Sequence, residues 1–348
     1  MQPAASDSAD ESFLVRPARE ADRHGVPASW WHPDAWRAGA RSLVVESAGA
    51  IVAAAARCPN RVHPLRHSAW LHLSEGGGRS TTSGEVASGE ETSGEVMSSE
   101  ETSGEVMSSE ATSGEVMSGE ETSGEETLGA APSPAGVAVL RALRDAGDLP
   151  LSLKAVPGTV EHATIVAAGG VVYQHCPPEL VPTGTPTLRE WCAAQRAGPA
   201  RSGVHLVRGA ERSTTDLTRA WTQLYEVVHA DWSPTAPTAD LLEIFGPMIE
   251  AELESDSTVL ALVDGEIVAA SFVFLGSDPA VETVAEALVP GHPHARSAVG
   301  ACLADVLART DGRPVEFDGH RSDPHFFPLL ASLPDVRAGD TPLDLLEL

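Results

Sequence analysis

The chain has 348 residues, enough for two domains with separate hydrophobic cores. Its hydrophobic content of 42% is ordinary for a globular protein, but 23 basic against 50 acidic residues give a formal net charge of −27. This balance argues against nucleic acid as a partner, because binding to a phosphate backbone depends on clustered Lys and Arg.

Neither membrane nor export signals stand out. No uninterrupted apolar run reaches the roughly 18 residues of a membrane-spanning helix, and residues 1–11 are acidic and polar, unlike a secretory signal. The four cysteines show no CxxC spacing, which argues against a structural zinc site and a disulfide framework. We therefore expect a cytoplasmic protein with no membrane partner and no metal.

The first half of the chain begins with a hairpin pattern. Residues 43–54 consist of an apolar run, a turn at Gly49 and a second apolar run that ends in Ile-Val-Ala-Ala. Such runs around a polar-Gly turn predict two antiparallel strands. Residues 68–73 predict a third strand.

A decapeptide repeat follows this strand. Thr-Ser-Gly-Glu-Val begins at Thr82 and recurs at Thr92, Thr102 and Thr112. Residues 80–128 contain 13 Glu but no Asp, Lys, Arg or aromatic residue. Such a segment cannot bury enough apolar surface to offset the entropy of ordering, so we predict a disordered insert. The alternative, an ordered ten-residue repeat, lacks the Asp and tight Gly pairs of calcium-binding repeats.

Beyond the insert, a helical pattern over residues 136–146 precedes a short strand at 151–156. A region rich in Pro, Gly and Thr then predicts a linker, 179–203, with a short helix within it. Helical periodicity over 215–229 opens the second half, and a second helix is expected from Asp240, predicted as its N-cap.

The pattern of the first half then recurs. Residues 260–270 repeat the hairpin and its Ile-Val-Ala-Ala run, 281–289 predict a strand, 297–310 a helix and 313–317 another strand. The order strand, hairpin, strand, helix, strand therefore occurs twice. We predict a mixed-sheet α/β fold in two tandem domains, residues 12–178 and 204–348, of which the insert interrupts only the first.

The duplicated unit resembles the GCN5-related N-acetyltransferases, and in particular their tandem two-domain members of the actinobacterial type. The resemblance is carried by the order of elements, by residues 59–67 before the strand of the first half and by Gly265–Ala270 in the second. It implies acetyl-CoA as co-substrate and direct transfer of an acetyl group to an amine of a small molecule or peptide. It is compatible with a monomer or homodimer.

In this family a glycine-bearing loop leads into a helix whose N-terminus faces the pyrophosphate of the co-substrate. The resemblance places that loop in the second half and aligns Gly136 with its last glycine in the first half. The implied contacts in the second half are Leu288, Val289, Arg296, Ser297, Ala298, Val299 and Gly300. Only Gly300 matches the glycine pattern, and in the first half the acidic insert lies inside the loop. We therefore expect the second half to be the active one.

The base that deprotonates the amine is expected on the strand beside this cleft. Glu282 and Glu286 alternate onto the same face of that strand, so both are candidate bases; the alternative for each is a solvated strand edge. The position of the family's tyrosine, the general acid, is taken by Phe326 or Phe327.

Acceptor contacts are predicted on two loops. Asp231 and Trp232 lie between the two helices that open the second half, where family members often gate the acceptor pocket. His320 lies in the segment Asp318–His325, which is dense in carboxylates and imidazoles. For this segment three interpretations stay open: helix capping by Asp323, substrate contact and metal binding.

Two functions from different classes therefore compete. The first is an acetyl-CoA-dependent N-acetyltransferase with degenerate motifs for binding the co-substrate. The alternative is a non-catalytic binding or scaffold protein that keeps the fold after both loops have decayed.

Overall fold

The computed structural model describes residues 13–24, 27, 41–74, 130–198, 203–276, 280–310, 312–339 and 342–348. The predicted disordered insert, residues 80–128, lies outside them. Every described residue belongs to one compact unit.

The first half of the chain forms strands and helices in the predicted order. Its strands are β1 (Leu14–Pro17), β2 (Arg41–Ser47), β3 (Ala50–Pro59), β4 (His67–Leu73), β5 (Leu151–Ala155), β6 (Val171–Cys176) and β7 (Glu179–Val181). Its helices are α1 (Pro134–Asp145) and α2 (Val160–Ala168).

The second half repeats this order after α3 (Pro186–Ala197), the short helix expected within the linker. Its helices are α4 (Thr214–His229), α5 (Thr238–Glu252), α6 (Ala295–Arg309) and α7 (Phe326–Leu330). Its strands are β8 (His205–Arg208), β9 (Val259–Val263), β10 (Glu266–Phe274), β11 (Val281–Ala287), β12 (Val315–Phe317), β13 (Arg337–Ala338) and β14 (Leu343–Glu347). The predicted order strand, hairpin, strand, helix, strand is thus present in both halves. Helix α5 begins two residues before Asp240, which lies in its first turn rather than at its cap.

The two sheets are mixed, and each has seven strands. The first has the order β1-β2-β3-β4-β5-β14-β6 and the second β8-β9-β10-β11-β12-β7-β13. Within each sheet one pair is parallel, β4 with β5 and β11 with β12, and the other pairs are antiparallel. The predicted α/β mixed-sheet class is therefore observed.

The two halves exchange their last strands. Strand β7 leaves the first half and pairs between β12 and β13 of the second sheet, while β14 leaves the second half and pairs between β5 and β6 of the first. The C-terminal strand of the predicted second domain thus belongs to the first sheet. Strand β7 and helix α3, both within the predicted linker 179–203, pack with the second sheet.

Both hairpins turn through residues with positive φ. The values are 50° and 81° at Ala48 and Gly49, and 51° and 87° at Asp264 and Gly265. Two successive positive φ angles define the type I′ turn, whose twist matches the strands that it joins. The turn geometry, with its positive φ, therefore favours glycine at Gly49 and Gly265.

Apolar side chains fill three cores. One core lies between the first sheet and helices α1 and α2, and centres on fully buried Val139, Leu140 and Leu143. A second lies between the second sheet and helices α3, α6 and α7. The third, on the opposite face of that sheet, packs α4 and α5 around Trp221 and Phe272. The second sheet is thus covered on both faces, and α6 is buried along most of its length.

Candidate functional site

The parallel strands of the second sheet separate after a short contact. Strands β11 and β12 pair only over Val281–Thr283 with Val315–Phe317. One further hydrogen bond, 3.1 Å long, runs from the Asp318 N–H to the Thr283 carbonyl. Strand β11 then continues to Ala287 paired with β10 alone. This parting leaves backbone groups on the open side of β11 available to a further partner.

Glu286 lies on the part of β11 beyond this separation, and its side chain is fully buried. Its Oε2 accepts hydrogen bonds from the backbone N–H groups of His325 (3.0 Å) and Phe326 (3.1 Å). Its Oε1 lies 2.6 Å from Nδ1 of His325 and accepts a bond from the N–H of Ala287 (2.7 Å). The carboxylate therefore caps the N-terminus of α7 and joins it to β11.

This finding argues against one of the three interpretations of segment 318–325, the capping of the last helix by Asp323. Oδ2 of Asp323 accepts a hydrogen bond from the N–H of His320 instead (2.7 Å). The cap of α7 comes instead from Glu286, which lies 40 residues from Phe326 along the chain. Local sequence patterns do not register a cap supplied from such a distance.

Glu282, the other candidate base, has a different environment. It lies at the start of β11, half-buried, opposite Glu316 in the parallel register. Burial raises its pKa, and the negative charges of Asp318 and Glu316 raise it further, to about 7. A carboxylate with a pKa near neutrality can accept a proton from a reacting group at physiological pH.

The predicted pyrophosphate loop divides into buried and accessible residues. The N–H groups of Leu288 and Val289 both donate to the carbonyl of Val268 in β10, at 2.9 and 3.3 Å. Ala298 and Val299 lie in the core, with no exposed surface. Whether these four residues contact a ligand stays a prediction.

Arg296 and Ser297 are the accessible members of the loop set. Arg296 is exposed and Ser297 is half-buried. The N–H of Ala298 donates to the carbonyl of His294 (2.8 Å), whereas the N–H groups of Arg296 and Ser297 have no backbone acceptor among the described residues. A helix start with free N–H groups and an arginine favours an anion.

Both glycines of the resemblance lie close to a neighbouring helix in this structure. A Cβ on Gly300 would lie 2.6 Å from Oε1 of Gln195 in α3, and one on Gly136 would lie 2.6 Å from Cγ2 of Thr164 in α2. Gly136 therefore lets α2 approach α1 closely, whereas at Gly300 the nearest atom is the end of a flexible side chain that can move aside. Their predicted contact with a co-substrate stays untested.

A group of six rings from both halves surrounds the predicted acceptor residues and is here called the aromatic–histidine cluster. Its members are His63, Tyr173, Tyr225, His229, Trp232 and His320. Ring centroids are 3.9 Å apart for Tyr225 and His229, 4.5 Å for His229 and Trp232, and 4.8 Å for Trp232 and His320. The structure thus brings together two of the three predicted acceptor residues, Trp232 and His320, whereas Asp231 is exposed beside them.

Opposite pKa shifts distinguish the two adjacent imidazoles of the cluster. Burial, and then the positive charge of His320, lower the pKa of His229 to about 3. Burial also lowers the pKa of His320, but interactions with Asp323 and Cys176 outweigh it and raise the value to about 10. At neutral pH His229 is therefore neutral and His320 is charged.

The first half covers this cluster with the loop between β3 and β4. Nδ1 of His63 donates to the carbonyl of Ser233 (3.0 Å), so its Nε2 accepts a hydrogen bond from the Tyr225 hydroxyl (2.8 Å). Arg66 donates to the Ser233 hydroxyl (2.8 Å) and to the Trp232 carbonyl (3.2 Å). The loop between α4 and α5, predicted to contact the acceptor, is therefore held by residues of the first half.

Sequence reasoning missed the other four members of the cluster, His63, Tyr173, Tyr225 and His229. Tyr225 and His229 lie four residues apart on α4, a spacing that places them on one helix face. His63 joins them only through the packing of the two halves, which no local pattern reveals.

Two further expectations concern metals and membranes. Within the described ranges, no group of three or more His, Cys, Asp or Glu side chains is arranged to hold a metal ion. In the same part of the chain no helix is both long and apolar enough to cross a membrane.

Comparison with known proteins gives structural likenesses only, since no family model and no curated protein matches the sequence. A GCN5-related N-acetyltransferase from Sphaerobacter thermophilus is similar, with a TM-score of 0.49, 11% identity and coverage of 97% of this chain and 95% of that one. A tandem GNAT protein from the clavulanic acid biosynthesis pathway is similar with a TM-score of 0.43 and 13% identity. The match covers 97% of this chain and 98% of that one. A conserved protein from Enterococcus faecalis V583, described as a probable N-acyltransferase, is similar with a TM-score of 0.45 and 10% identity. The match covers 97% of this chain and 72% of that one.

GCN5-related N-acetyltransferases, a tandem one included, are thus among the solved structures that this chain resembles. With TM-scores below 0.5 these are overall likenesses. The assignment of a site depends on the chain's own residues.

Proposed function

We propose that the protein is an acetyl-CoA-dependent N-acyltransferase whose second half transfers an acetyl group directly to an amine of a small molecule or peptide. The observation that carries the proposal is the parting of β11 from β12, followed directly along the chain by the start of α6. Such an opening offers unpaired backbone groups to an extended, amide-bearing ligand arm and a helix N-terminus to its phosphates.

The second half is favoured over the first because the two corresponding helix starts differ. Helix α1 begins with Pro134, which has no N–H, and the side chain of Ser133 accepts the N–H of Gly136 at 3.2 Å. Helix α6 has no side-chain cap, and the N–H groups of Arg296 and Ser297 remain free of backbone partners among the described residues. An anionic co-substrate therefore finds more donors at α6.

We assign the general base to Glu282 and not to Glu286. Both oxygens of Glu286 already accept hydrogen bonds, and its side chain has no exposed surface. Glu282 is half-buried and has a pKa of about 7. In the proposed step the amine nitrogen attacks the thioester carbonyl, its proton passes to Glu282, and the carbon–sulfur bond breaks to release the CoA thiolate.

The acceptor amine is expected beside Trp232 and His320, under the loop of the first half that carries His63. Tyr225 does not supply the general acid, because its hydroxyl hydrogen is donated to His63. Burial also raises the pKa of Tyr225. The departing thiolate is a stable leaving group and does not require a tyrosine.

An acetylation assay with acetyl-CoA and a panel of primary amines and short peptides tests the assignment of the base. With any accepted amine, kcat/KM should rise with pH through about 7, because Glu282 must lose its proton to act. Glu282→Gln should abolish this rise and lower kcat by about a hundredfold, with acetyl-CoA binding retained.

The control is Glu266→Gln, which alters an exposed carboxylate of the neighbouring strand and should leave the profile unchanged. A Glu282→Gln variant with full activity would exclude Glu282 as the base. Absence of acetyl-CoA binding to the intact protein would favour the non-catalytic alternative.

A further inference from the structure

A cavity of about 130 Å³ lies where three segments of the chain meet. The segments are the loop between β3 and β4, the loop between α4 and α5, and the region where β5 begins and β14 ends. The volume is close to the roughly 150 Å³ that holds benzene in a protein interior. Because the cavity is partly open to solvent, a longer molecule can extend beyond it. Among the described residues that line it, none belongs to β11, β12 or α6, so the cavity is separate from the place where these strands part.

The walls of the cavity are largely aliphatic. Leu65, Pro150 and Pro234 line it. Leu65 is 59% exposed, and a ligand that filled the cavity would remove part of this side chain from water. Because a proline ring is apolar and has no N–H to offer, these walls favour an aliphatic group over a polar one.

Arg66 and Glu347 supply the charges of the cavity. Both line it, and Nε of Arg66 donates to Oε2 of Glu347 at 2.8 Å. Arg66 also donates to the Ser233 hydroxyl (2.8 Å) and to the Trp232 carbonyl (3.2 Å). A guanidinium has five N–H bonds, so two of them have no acceptor among the described residues. Oε1 of Glu347, whose side chain is 41% exposed, also has no hydrogen-bond partner in that part of the chain.

Surrounding contacts fix both the ion pair and the loops that form the walls. The guanidinium of Arg66 stacks on the ring of Tyr173, 4.2 Å from its centroid. In the loop between β3 and β4, Oδ1 of Asn60 accepts the N–H of Val62 at 3.0 Å. The carbonyl of Val62 accepts the N–H of Ala236 at 2.7 Å, which ties this loop to the one between α4 and α5. The cavity therefore keeps its shape before a ligand arrives, which reduces the entropy lost on binding.

The position of the two charges selects the kind of ligand. Because Nε of Arg66 and Oε2 of Glu347 are 2.8 Å apart, a simple cation or anion would lie near one opposite and one like charge, and the two interactions would nearly cancel. A zwitterion with adjacent charges can satisfy both partners, its carboxylate accepting from the guanidinium and its ammonium donating to Oε1. His63, the other titratable residue of the lining, adds no charge at neutral pH, because burial lowers its pKa.

We infer that this cavity is a binding site for a free α-amino acid with an aliphatic side chain. The charged groups of such a molecule share one carbon atom, which matches the adjacent charges of the ion pair. Arg66 holds its carboxylate, Glu347 holds its ammonium, and Leu65, Pro150 and Pro234 contact its side chain. The inference goes beyond the proposed function, because binding at this cavity needs no acyl donor.

Ligand-observed NMR titrations of the full-length chain, without acetyl-CoA, test the inference. The probes are L-alanine and L-leucine. L-alanine is compared with ethylamine and propanoate, and L-leucine with 3-methylbutylamine and 4-methylpentanoate, which keep the side chain but only one of the two charges. At least one amino acid should bind about tenfold or more tightly than both of its analogues, because each analogue leaves one charge of the ion pair without a partner.

Glu347→Gln should change this order of affinities. With the carboxylate removed, Arg66 provides the one remaining charge of the pair, so the carboxylate analogue should bind at least as tightly as the amino acid. The control is Glu266→Gln, the same change at an exposed position of β10, which should keep the wild-type order. Leu65→Ser, at a position where exposure makes the substitution tolerable, should weaken the binding of L-leucine more than that of L-alanine. Thermal melting confirms that each variant is folded.

Three results would overturn the inference. The first is no detectable binding of either amino acid at about 10 mM. The second is binding no tighter than that of the analogues, a comparison that needs no variant. The third is the wild-type order of affinities in folded Glu347→Gln. Because no acyl donor is present, failure of the proposed acetyl transfer would leave these results unchanged.

Discussion

At the scale of single residues, Glu282 and Glu286 show how one strand gives two carboxylates different properties. Both face the same side of β11, but Glu286 accepts N–H bonds from α7 whereas Glu282 faces other carboxylates. Burial and neighbouring negative charges disfavour the charged form of Glu282 and raise its pKa. Alternation along the strand predicted their shared face, but not this difference, which depends on what the rest of the chain places opposite each residue.

The role of Glu286 as a cap can be measured through stability. Glu286→Leu leaves the N–H groups of His325 and Phe326 buried without acceptors, so it should lower the free energy of unfolding by about 3 kcal/mol. Glu286→Gln keeps one acceptor oxygen and should cost less. Chemical denaturation measures both, with Glu266→Leu on the exposed start of β10 as the control. A Glu286→Leu variant as stable as the wild type would show that α7 does not depend on this carboxylate.

At the scale of elements, the duplicated hairpins were predictable because alternation, a turn glycine and a repeated apolar run occur within a dozen residues. The short strands β7 and β13 were not predictable, because segments of three and two residues are too short to show a periodic pattern. The packing of Gly136 in α1 against Thr164 in α2 was likewise missed. A glycine in a helix has the same appearance in a sequence whether it faces a ligand or a neighbouring helix.

The two type I′ turns provide a matched pair of substitutions. Ala48 adopts a φ of 50°, a left-handed conformation whose conformational free energy is higher for Ala than for Asn or Asp. The second hairpin has Asp264 at the corresponding position. Ala48→Asp should therefore stabilise the protein by about 0.5–1 kcal/mol, and Asp264→Ala should destabilise it by a similar amount. Both positions are exposed, so packing does not contribute. Shifts of equal sign in the unfolding midpoint would contradict this account of the turns.

At the scale of the whole molecule, the exchange of β7 and β14 joins the two halves more closely than a linker would. Composition and the repeat predicted two tandem units, but the destination of each last strand depends on long-range pairing that no local pattern records. Each sheet contains one strand from the other half at an interior position, between its own fifth and sixth strands. Neither half is therefore complete without the other.

Removal of residues 343–348 tests this dependence. The truncation takes away β14, including fully buried Leu346 and the ladders to β5 and β6. Hydrogen exchange should become faster throughout β5 and β6, although both remain in the chain, because their interior ladder partner is lost. Glu347→Gln, whose side chain is 41% exposed, is the control and should change exchange little. Unchanged protection of β5 and β6 after truncation would show that the exchanged strand is dispensable.

Calorimetric titration of acetyl-CoA into the intact protein at moderate salt tests the central claim most directly. We predict a stoichiometry of about one, because of the two corresponding helix starts in the described part of the chain, α1 and α6, it is α6 that has two N–H groups without a backbone acceptor and an arginine. Arg296→Glu should weaken binding by about tenfold or more, whereas Arg219→Glu, the same charge change on an exposed part of α4, should not. A stoichiometry of two, no detectable binding, or binding unaffected by Arg296→Glu would contradict the placement of a single acetyl-CoA site where β11 parts from β12 and α6 begins.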